Sequence, residues 1–161
     1  MKPQIYKIKE IGKGFLAIMA KPVAGDWIDD EFKGISDFGI LQIISLLEAH
    51  ESYELGLIEE EKLANQNGMD FINYKIKDRG VPESPQNFIK ITKTIYNQIN
   101  DGKNTVIHCR AGIGRTGIVA AGILMHFGYD IKKAFEYISE IRGVRVPDTQ
   151  EQIDWMKSIK F

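Results

Sequence analysis

The stretch from Thr105 to Gly128 constrains the fold more than any other part of the sequence. It begins with the apolar, β-branched run TVIHC, continues through the glycine-containing segment RAGIG, and ends in the apolar segment RTGIVAAGILMHFG. A short apolar run of this kind is typical of a buried strand, and the longer apolar segment closed by Gly128 is typical of a helix. The order strand, loop, helix indicates an α/β protein, in which such units repeat.

Four further strand-like runs and several helical patterns support this fold class. The runs are IYKIKE, FLAIMA, LQIISLL and FINYKIK. Because LQIISLL and TVIHC are apolar almost throughout, they are expected to be covered on both faces, as in a mostly parallel sheet. The clearest helix begins at Pro85, with Ser84 as its N-cap. We therefore predict one domain over residues 1–161, with a single, mostly parallel central sheet of about five strands flanked by helices.

Composition narrows the possible functions and the compartment. The 21 basic residues balance 22 acidic ones, so no overall positive field favours nucleic acid as a partner. Cys109 is the single cysteine, which excludes an internal disulfide and a multi-cysteine zinc site. The start MKPQIYKIKE lacks the apolar core of a signal peptide, and no apolar window is long enough for a membrane span. A cytoplasmic protein is expected; the sequence carries no signal for its oligomeric state.

The loop after TVIHC has the features of an anion site. Backbone N–H groups of a glycine-containing loop and the positive end of the following helix can converge on one anion. Gly112 and Gly114 keep side chains away from an approaching ligand. Arg115 adds a planar, permanently charged group that can bind two oxygens of a phosphate. A dianionic phosphate group is the expected ligand.

Cys109 lies at the base of this loop, where the same positive charges favour its thiolate form. Taken alone, a single buried cysteine is more often a small structural hydrophobe. Beside a phosphate site, a thiolate can instead attack phosphorus and form a covalent phosphocysteine intermediate. Thr116 can donate its hydroxyl to the sulfur and so ease departure of the thiolate in the second step. This arrangement requires no metal and no cofactor.

The string HCRAGIGRTG, which begins at His108, contains the full His-Cys-x5-Arg-Ser/Thr signature. Here the sequence resembles the cysteine-dependent protein tyrosine and dual-specificity phosphatase superfamily. Its length and the string KDRGVPES are most similar to the compact cyclin-dependent-kinase-associated phosphatase group and bacterial relatives. The resemblance implies that Cys109 and Arg115 are catalytic and that His108 holds the loop and tunes the thiolate. It also implies a phosphate-binding loop formed by Arg110, Ala111, Gly112, Ile113, Gly114 and Arg115.

Two aspartates bracket the run FINYKIK, and one of them should protonate the leaving group. If this strand is parallel to TVIHC, Asp78 lies beside the loop and Asp70 lies about 25 Å away, at roughly 3.3 Å per residue. Asp78 is therefore the predicted general acid, on a short loop with glycine and proline that could move. The resemblance implies the same assignment. Arg79 and, as a backup acid, Glu83 are weaker candidates.

A second polar stretch, VRVPDTQEQ, resembles a later loop of the superfamily in which glutamines position the hydrolytic water. Gln152 matches the second of these glutamines, whereas Asp148 stands where the first is often found. An alternative interpretation is that DTQEQ only caps a helix and forms its polar first turn. The assignment of a supporting role to Gln152 and Asp148 therefore stays open at this point.

The expected substrate is a phosphorylated protein or peptide. The chain has no evident equivalent of the tyrosine-bearing loop of larger tyrosine-specific enzymes, so phosphoserine and phosphothreonine are expected beside phosphotyrosine. Arg110 favours an alternative, a phosphoinositide or inositol-phosphate phosphatase, whereas Ile113 stands where lipid phosphatases of this type carry a second lysine. Another alternative is a non-catalytic phosphate-binding module, which the intact set of Cys109, Arg115 and Asp78 disfavours.

Overall fold

The structure, a computed structural model, describes residues 2–161. In this part of the chain five strands and seven helices follow one another in the order β1 Tyr6–Ile11, β2 Gly14–Met19, α1 Ile28–Asp37, β3 Gln42–Ser45, α2 Ala49–Glu54, α3 Glu60–Gln66, β4 Asp70–Asn73, α4 Pro85–Asn100, β5 Thr105–His108, α5 Gly114–Phe127, α6 Ile131–Arg142 and α7 Gln150–Ser158. None of these helices is long and apolar enough to cross a bilayer.

The strands form one sheet in the order β1-β2-β5-β3-β4. Only the hairpin β1–β2 is antiparallel; β2–β5, β5–β3 and β3–β4 are all parallel. The predicted α/β class with a mostly parallel, five-stranded sheet is therefore confirmed. The central strand β5 is buried at all four positions, as its continuous apolar run predicted.

Helices cover both faces of the sheet because each face carries its own apolar core. On one face, side chains of α4, α5, α6 and α7 pack against the sheet around Phe88 and Ile118. On the other face, α1 and α3 pack around Phe32 and Ile43. Parallel crossovers bring the start of each following loop to the same edge, so Cys109 lies at the carboxyl end of the central strand, between the ends of β2 and β3.

Two features differ from the sequence-based expectation. The strand predicted from FINYKIK ends at Asn73, although the N–H groups of Tyr74 and Ile76 still bond to the carbonyls of Ser45 and Leu46 at 2.9 and 3.1 Å. Helix α2 was not predicted, because its six residues, AHESYE, show no apolar periodicity. A reciprocal capping box between Glu48 and Glu51 stabilises it instead.

Candidate active site

The loop after β5 wraps around the N-terminus of α5. Gly112 adopts a left-handed conformation with φ +73°, and a Cβ at this position would lie 2.5 Å from the carbonyl oxygen of Met19. Glycine is therefore required both by the backbone angle and by the close approach to β2. Among residues 2–161, no side chain caps the N-terminus of α5. Its first N–H groups and the positive end of its dipole are thus available to an anion.

Cys109 lies at the base of this loop and is only 3% exposed. Its Sγ accepts a hydrogen bond from the Thr116 hydroxyl at 3.0 Å. Thr116 itself is fully buried, so this hydroxyl has a fixed position against the sulfur. A hydrogen bond from a hydroxyl stabilises a thiolate more than a thiol, because the charged acceptor forms the stronger bond.

The residue before the nucleophile, His108, is fully buried and contacts acceptors with both ring nitrogens. Nδ1 lies 3.2 Å from the carbonyl oxygen of Cys109, and Nε2 lies 2.5 Å from a carboxylate oxygen of Glu60. Glu60, in the first turn of α3, is itself 2% exposed. Glu60 was not identified from the sequence as a partner of His108. Only the fold brings β5 and α3 together.

Glu60→Ala is expected to destabilise the protein by about 1–3 kcal/mol, because it leaves a buried imidazole nitrogen without its partner. Urea unfolding followed by circular dichroism measures the difference. The matched control is Glu61→Ala, at the exposed next position, which is expected to change the free energy of unfolding by less than about 0.5 kcal/mol. Equal effects of the two substitutions would show that the His108–Glu60 contact contributes nothing specific.

Arg115 is buried beside the loop, with 2% of its side chain exposed, and Glu51 fixes its guanidinium plane. Nη1 and Nη2 donate to the two oxygens of Glu51 at 2.7 and 3.0 Å. Nη1 also donates to the carbonyl oxygens of Ile76, at 2.9 Å, and Leu46, at 3.4 Å. Within residues 2–161, the hydrogen bonds from this guanidinium to protein acceptors all come from Nη1 and Nη2, and its Nε–H has no protein acceptor.

Glu51 was not identified from the sequence, although it is the residue that orients Arg115. It lies at the third position of the unpredicted helix α2, where it also completes the capping box. Burial raises the pKa of Glu51, but hydrogen bonds from Arg115, from the backbone of Glu48 and from Arg110 outweigh this effect and lower the pKa to about 2. The carboxylate is thus charged at neutral pH and provides a permanent partner for the guanidinium.

Asp78 lies over the phosphate loop, and Asp70 lies at the opposite end of the sheet. One oxygen of Asp78 accepts a hydrogen bond from Arg115 Nη2 at 3.1 Å, and half of its side chain is exposed. Asp70 instead pairs with Lys103, in the segment before β5, at 2.6 Å. The parallel pairing of β4, β3 and β5 produces this separation, as predicted from the sequence.

Arg110 directs its side chain away from the loop and toward two acids of α2. Its guanidinium contacts Glu51 at 2.9 Å and Glu54 at 3.3 Å, and it lies 3.9 Å from Asp78. These acids compensate its charge in part. The backbone of Arg110 remains in the loop, where its carbonyl accepts from the N–H of Lys21 at 2.9 Å.

Most of the expected site residues line one small cavity of about 80 Å³, whereas His108, Gly112 and Thr116 do not. Its lining includes most of the predicted phosphate loop and two of the three supporting residues: Asp78, Arg79, Cys109, Arg110, Ala111, Ile113, Gly114, Arg115, Asp148 and Gln152. Glu83 does not line it. A larger cavity of about 880 Å³ lies between α6 and α7, away from Cys109. Within residues 2–161, no group of three or more His, Cys, Asp or Glu side chains is arranged to hold a metal ion.

Comparisons with known proteins agree with this geometry. Residues 17–129 match the family model described as Tc-R-P, a polymorphic toxin system DSP-PTPase phosphatase. The 123R protein of Invertebrate iridescent virus 6, named as a tyrosine phosphatase, is 27% identical over 101 residues, which cover 62% of this chain and 71% of that protein.

Two solved structures share the fold across almost the whole chain. Kinase associated phosphatase, with its catalytic site cysteine replaced by serine, superposes with a TM-score of 0.87 at 19% identity and covers 97% of this chain and 93% of its own. PTPMT1 in complex with PI(5)P superposes with a TM-score of 0.76 at 19% identity, covering 95% and 92%. Because the family model matches well over half of the sequence, this chain belongs to the DSP-PTPase family of cysteine-based phosphatases.

Proposed function

We propose that this chain is a single-domain, metal-independent phosphatase that hydrolyses phosphorylated proteins through a phosphocysteine intermediate. The observation that carries the proposal is the position of Cys109 Sγ at the uncapped N-terminus of α5, bonded to Thr116 and in one cavity with Arg115 and Asp78. A thiolate so placed faces the phosphorus of any phosphate that binds the loop. A free thiol nucleophile also favours a reducing compartment such as the cytoplasm.

Substrate binding uses the donors that the protein does not occupy. Nη1 of Arg115 already donates to Glu51 and to two backbone carbonyls. A phosphate therefore binds to the Nε–H of Arg115 and to the Nη2–H that donates to Asp78 in the absence of substrate. The backbone N–H groups of residues 110–115 bind its other oxygens. The incoming dianion displaces the Asp78 carboxylate from Arg115, because the two anions compete for one donor.

In the first chemical step the Cys109 thiolate attacks phosphorus. An S–P bond forms as the P–O ester bond breaks, and the electron pair of that bond passes to the leaving oxygen. Asp78 takes up a proton from solvent once it is displaced from Arg115, and it donates this proton to the leaving oxygen. The products are the free alcohol or phenol and a phosphocysteine.

In the second step water attacks the phosphocysteine. Asp78, now a carboxylate, accepts a proton from the water as the new P–O bond forms and the P–S bond breaks. The electron pair of the P–S bond returns to Cys109 Sγ, where the Thr116 hydroxyl stabilises the leaving thiolate. Inorganic phosphate leaves, Asp78 releases its proton to solvent as it pairs with Arg115 again, and the enzyme returns to its initial state.

Cavity size and charge favour phosphoprotein substrates. The cavity of about 80 Å³ accepts a phosphate group, whereas sites for whole small molecules usually measure ~300–1,000 Å³. The charge of Arg110, the feature that favoured an inositol phosphate, is compensated in part by Glu51 and Glu54. A phosphoinositide substrate is the second candidate, because PTPMT1, whose structure in complex with PI(5)P is known, shares the fold. Non-catalytic phosphate binding is disfavoured by the complete set of groups around the sulfur.

Phosphate release from a panel of substrates in the presence of EDTA tests this proposal. We expect turnover of a phosphotyrosine peptide, slower turnover of matched phosphoserine and phosphothreonine peptides, and at least about tenfold lower kcat/KM for PI(5)P and soluble inositol phosphates; this ratio corresponds to about 1.4 kcal/mol of transition-state binding. A preference for the inositol compounds would select the second candidate. Binding without any turnover would instead indicate a phosphate-binding module.

A further inference from the structure

The loop of residues 77–81, which carries Asp78, contacts the start of α7 and the segment just before it at two points. Arg79 Nη1 lies 2.9 Å from a carboxylate oxygen of Asp148. Gln152 Nε2 donates to the carbonyl oxygen of Gly80 at 3.1 Å. Both contacts join parts of the chain about 70 residues apart, and both lie beside the cavity that contains Cys109.

Both the oxygen and the nitrogen of the Gln152 amide take part in hydrogen bonds to the backbone. It is fully buried, and its Oε1 accepts from the backbone N–H groups of Asp148 and Thr149 at 3.0 and 3.1 Å. Its Nε2 donates to Gly80. In this arrangement the amide holds the 77–81 loop against the start of α7 rather than presenting donors and acceptors to a water molecule.

The 77–81 loop needs such external support. Buried Ile76 and Pro82 anchor its ends, but Lys77, Asp78 and Arg79 between them are exposed. Arg79 adopts φ +61°, the left-handed region that side-chain-bearing residues rarely occupy. A conformation of this kind persists when surrounding contacts hold it. The ion pair to Asp148 is a contact of the Arg79 side chain itself.

We propose that Arg79 and Asp148 are positioning residues that, together with Gln152, hold the 77–81 loop closed and so place Asp78 over Cys109. Asp148 thus fixes the loop that carries the acid, in place of the water-positioning glutamine often found at this point in the superfamily. The inference rests on the proposed function, because it gives Asp78 the role of proton donor. It adds two residues whose effect on catalysis is indirect.

Because Arg79 and Asp148 carry opposite charges, their variants can distinguish a role in holding the loop from a direct electrostatic effect on the substrate. If each acted only through its field on a bound phosphate dianion, Arg79→Gln would weaken binding and Asp148→Asn would strengthen it, so KM would move in opposite directions. If the two residues hold the loop, both substitutions open it, and both lower kcat in the same direction. A lower kcat in both variants is therefore the result expected if the ion pair holds the loop.

The test compares Arg79→Gln, Asp148→Asn and Asp78→Asn on aryl phosphates with good and poor leaving groups. Because an exposed ion pair contributes little, we expect Arg79→Gln and Asp148→Asn each to lower kcat about two- to five-fold for poor leaving groups and less for good ones. Asp78→Asn should show the same dependence on the leaving group with a larger loss. The reversed pair, Arg79→Asp with Asp148→Arg, should recover most of the kcat lost in the single variants.

The control is Lys33→Gln, which breaks the similarly exposed Lys33–Asp37 pair on α1 and should leave kcat unchanged.

Hydrogen exchange of residues 77–84 supplies a readout that needs no activity. Arg79→Gln and Asp148→Asn should both increase exchange there, and the reversed pair should restore the protection. Unchanged exchange, or KM values that move in opposite directions with no loss of kcat, would overturn the inference while leaving the proposed function standing. Absence of turnover in the wild type would instead overturn the proposed function, and exchange alone would then decide whether the pair holds the loop.

Discussion

Replacement of Cys109 by serine is expected to lower kcat for an aryl phosphate by about 10⁴-fold or more. Serine retains a hydrogen-bonding atom near the Thr116 hydroxyl but is not ionised at neutral pH. His108 cannot act as its base, because both ring nitrogens already contact Glu60 and the Cys109 carbonyl. A neutral hydroxyl is a weak nucleophile, so the loop would bind phosphate without attacking it.

Two measurements accompany this prediction. Steady-state release of the phenol in EDTA gives the loss of kcat, and calorimetric titration with inorganic phosphate shows whether the loop of the variant still binds its ligand. We expect phosphate affinity within about tenfold of the wild type, because the donors from α5 and Arg115 are unchanged. Activity that survives in Cys109→Ser at more than a few per cent of the wild-type rate would exclude the phosphocysteine route.

The elements of the fold that depend on local pattern could be predicted from the sequence. The buried strands β3 and β5 follow from continuous apolar runs, and α4 follows from Ser84, Pro85 and its helical periodicity. The α/β class then places the end of β5 at the edge where ligands bind. Helix α2 could not be predicted in this way, because it is short and its stability comes from a capping box rather than from an apolar face.

The partners of the candidate site were less predictable than its nucleophile. Cys109 and Arg115 lie within one short signature, whereas Glu51 and Glu60 reach the site from other elements. The Glu51 position did carry a local signal, since Glu48 and Glu51 have capping-box spacing, but nothing in the sequence linked it to Arg115. Ion pairs between distant segments depend on how helices cross the sheet, which sequence periodicity does not encode.

Arg115→Lys is expected to lower kcat/KM by about 10³-fold, close to the ~4 kcal/mol that a well-placed donor to a transition-state oxygen can contribute. Lysine keeps the charge but presents a single ammonium group, which cannot bind two phosphate oxygens and both oxygens of Glu51 at once. The loss should appear in kcat as well as in KM, because charge on the equatorial oxygens must be stabilised during transfer. Arg145→Lys, at an exposed position, is the control and should leave both constants unchanged. A loss confined to KM would contradict a role of Arg115 in the transition state.

The same substitution should also change stability in a pH-dependent way. Breaking a buried, hydrogen-bonded ion pair costs about 3 kcal/mol, so Arg115→Lys should lower the free energy of unfolding at pH 7 even though lysine keeps the positive charge.

In the wild type the pKa of Glu51 is lowered from 4.5 to about 2, so the stability that this carboxylate contributes is present above about pH 4.5 and is lost as the pH falls toward 2. In the variant, without the hydrogen bonds from Arg115, the pKa of Glu51 lies closer to its ordinary value. Urea unfolding at several pH values should therefore show the gap between the two proteins shrinking as the pH is lowered from about 5 to 2.5. A gap that stays constant over this range would mean that the Arg115–Glu51 pair is not the source of the difference.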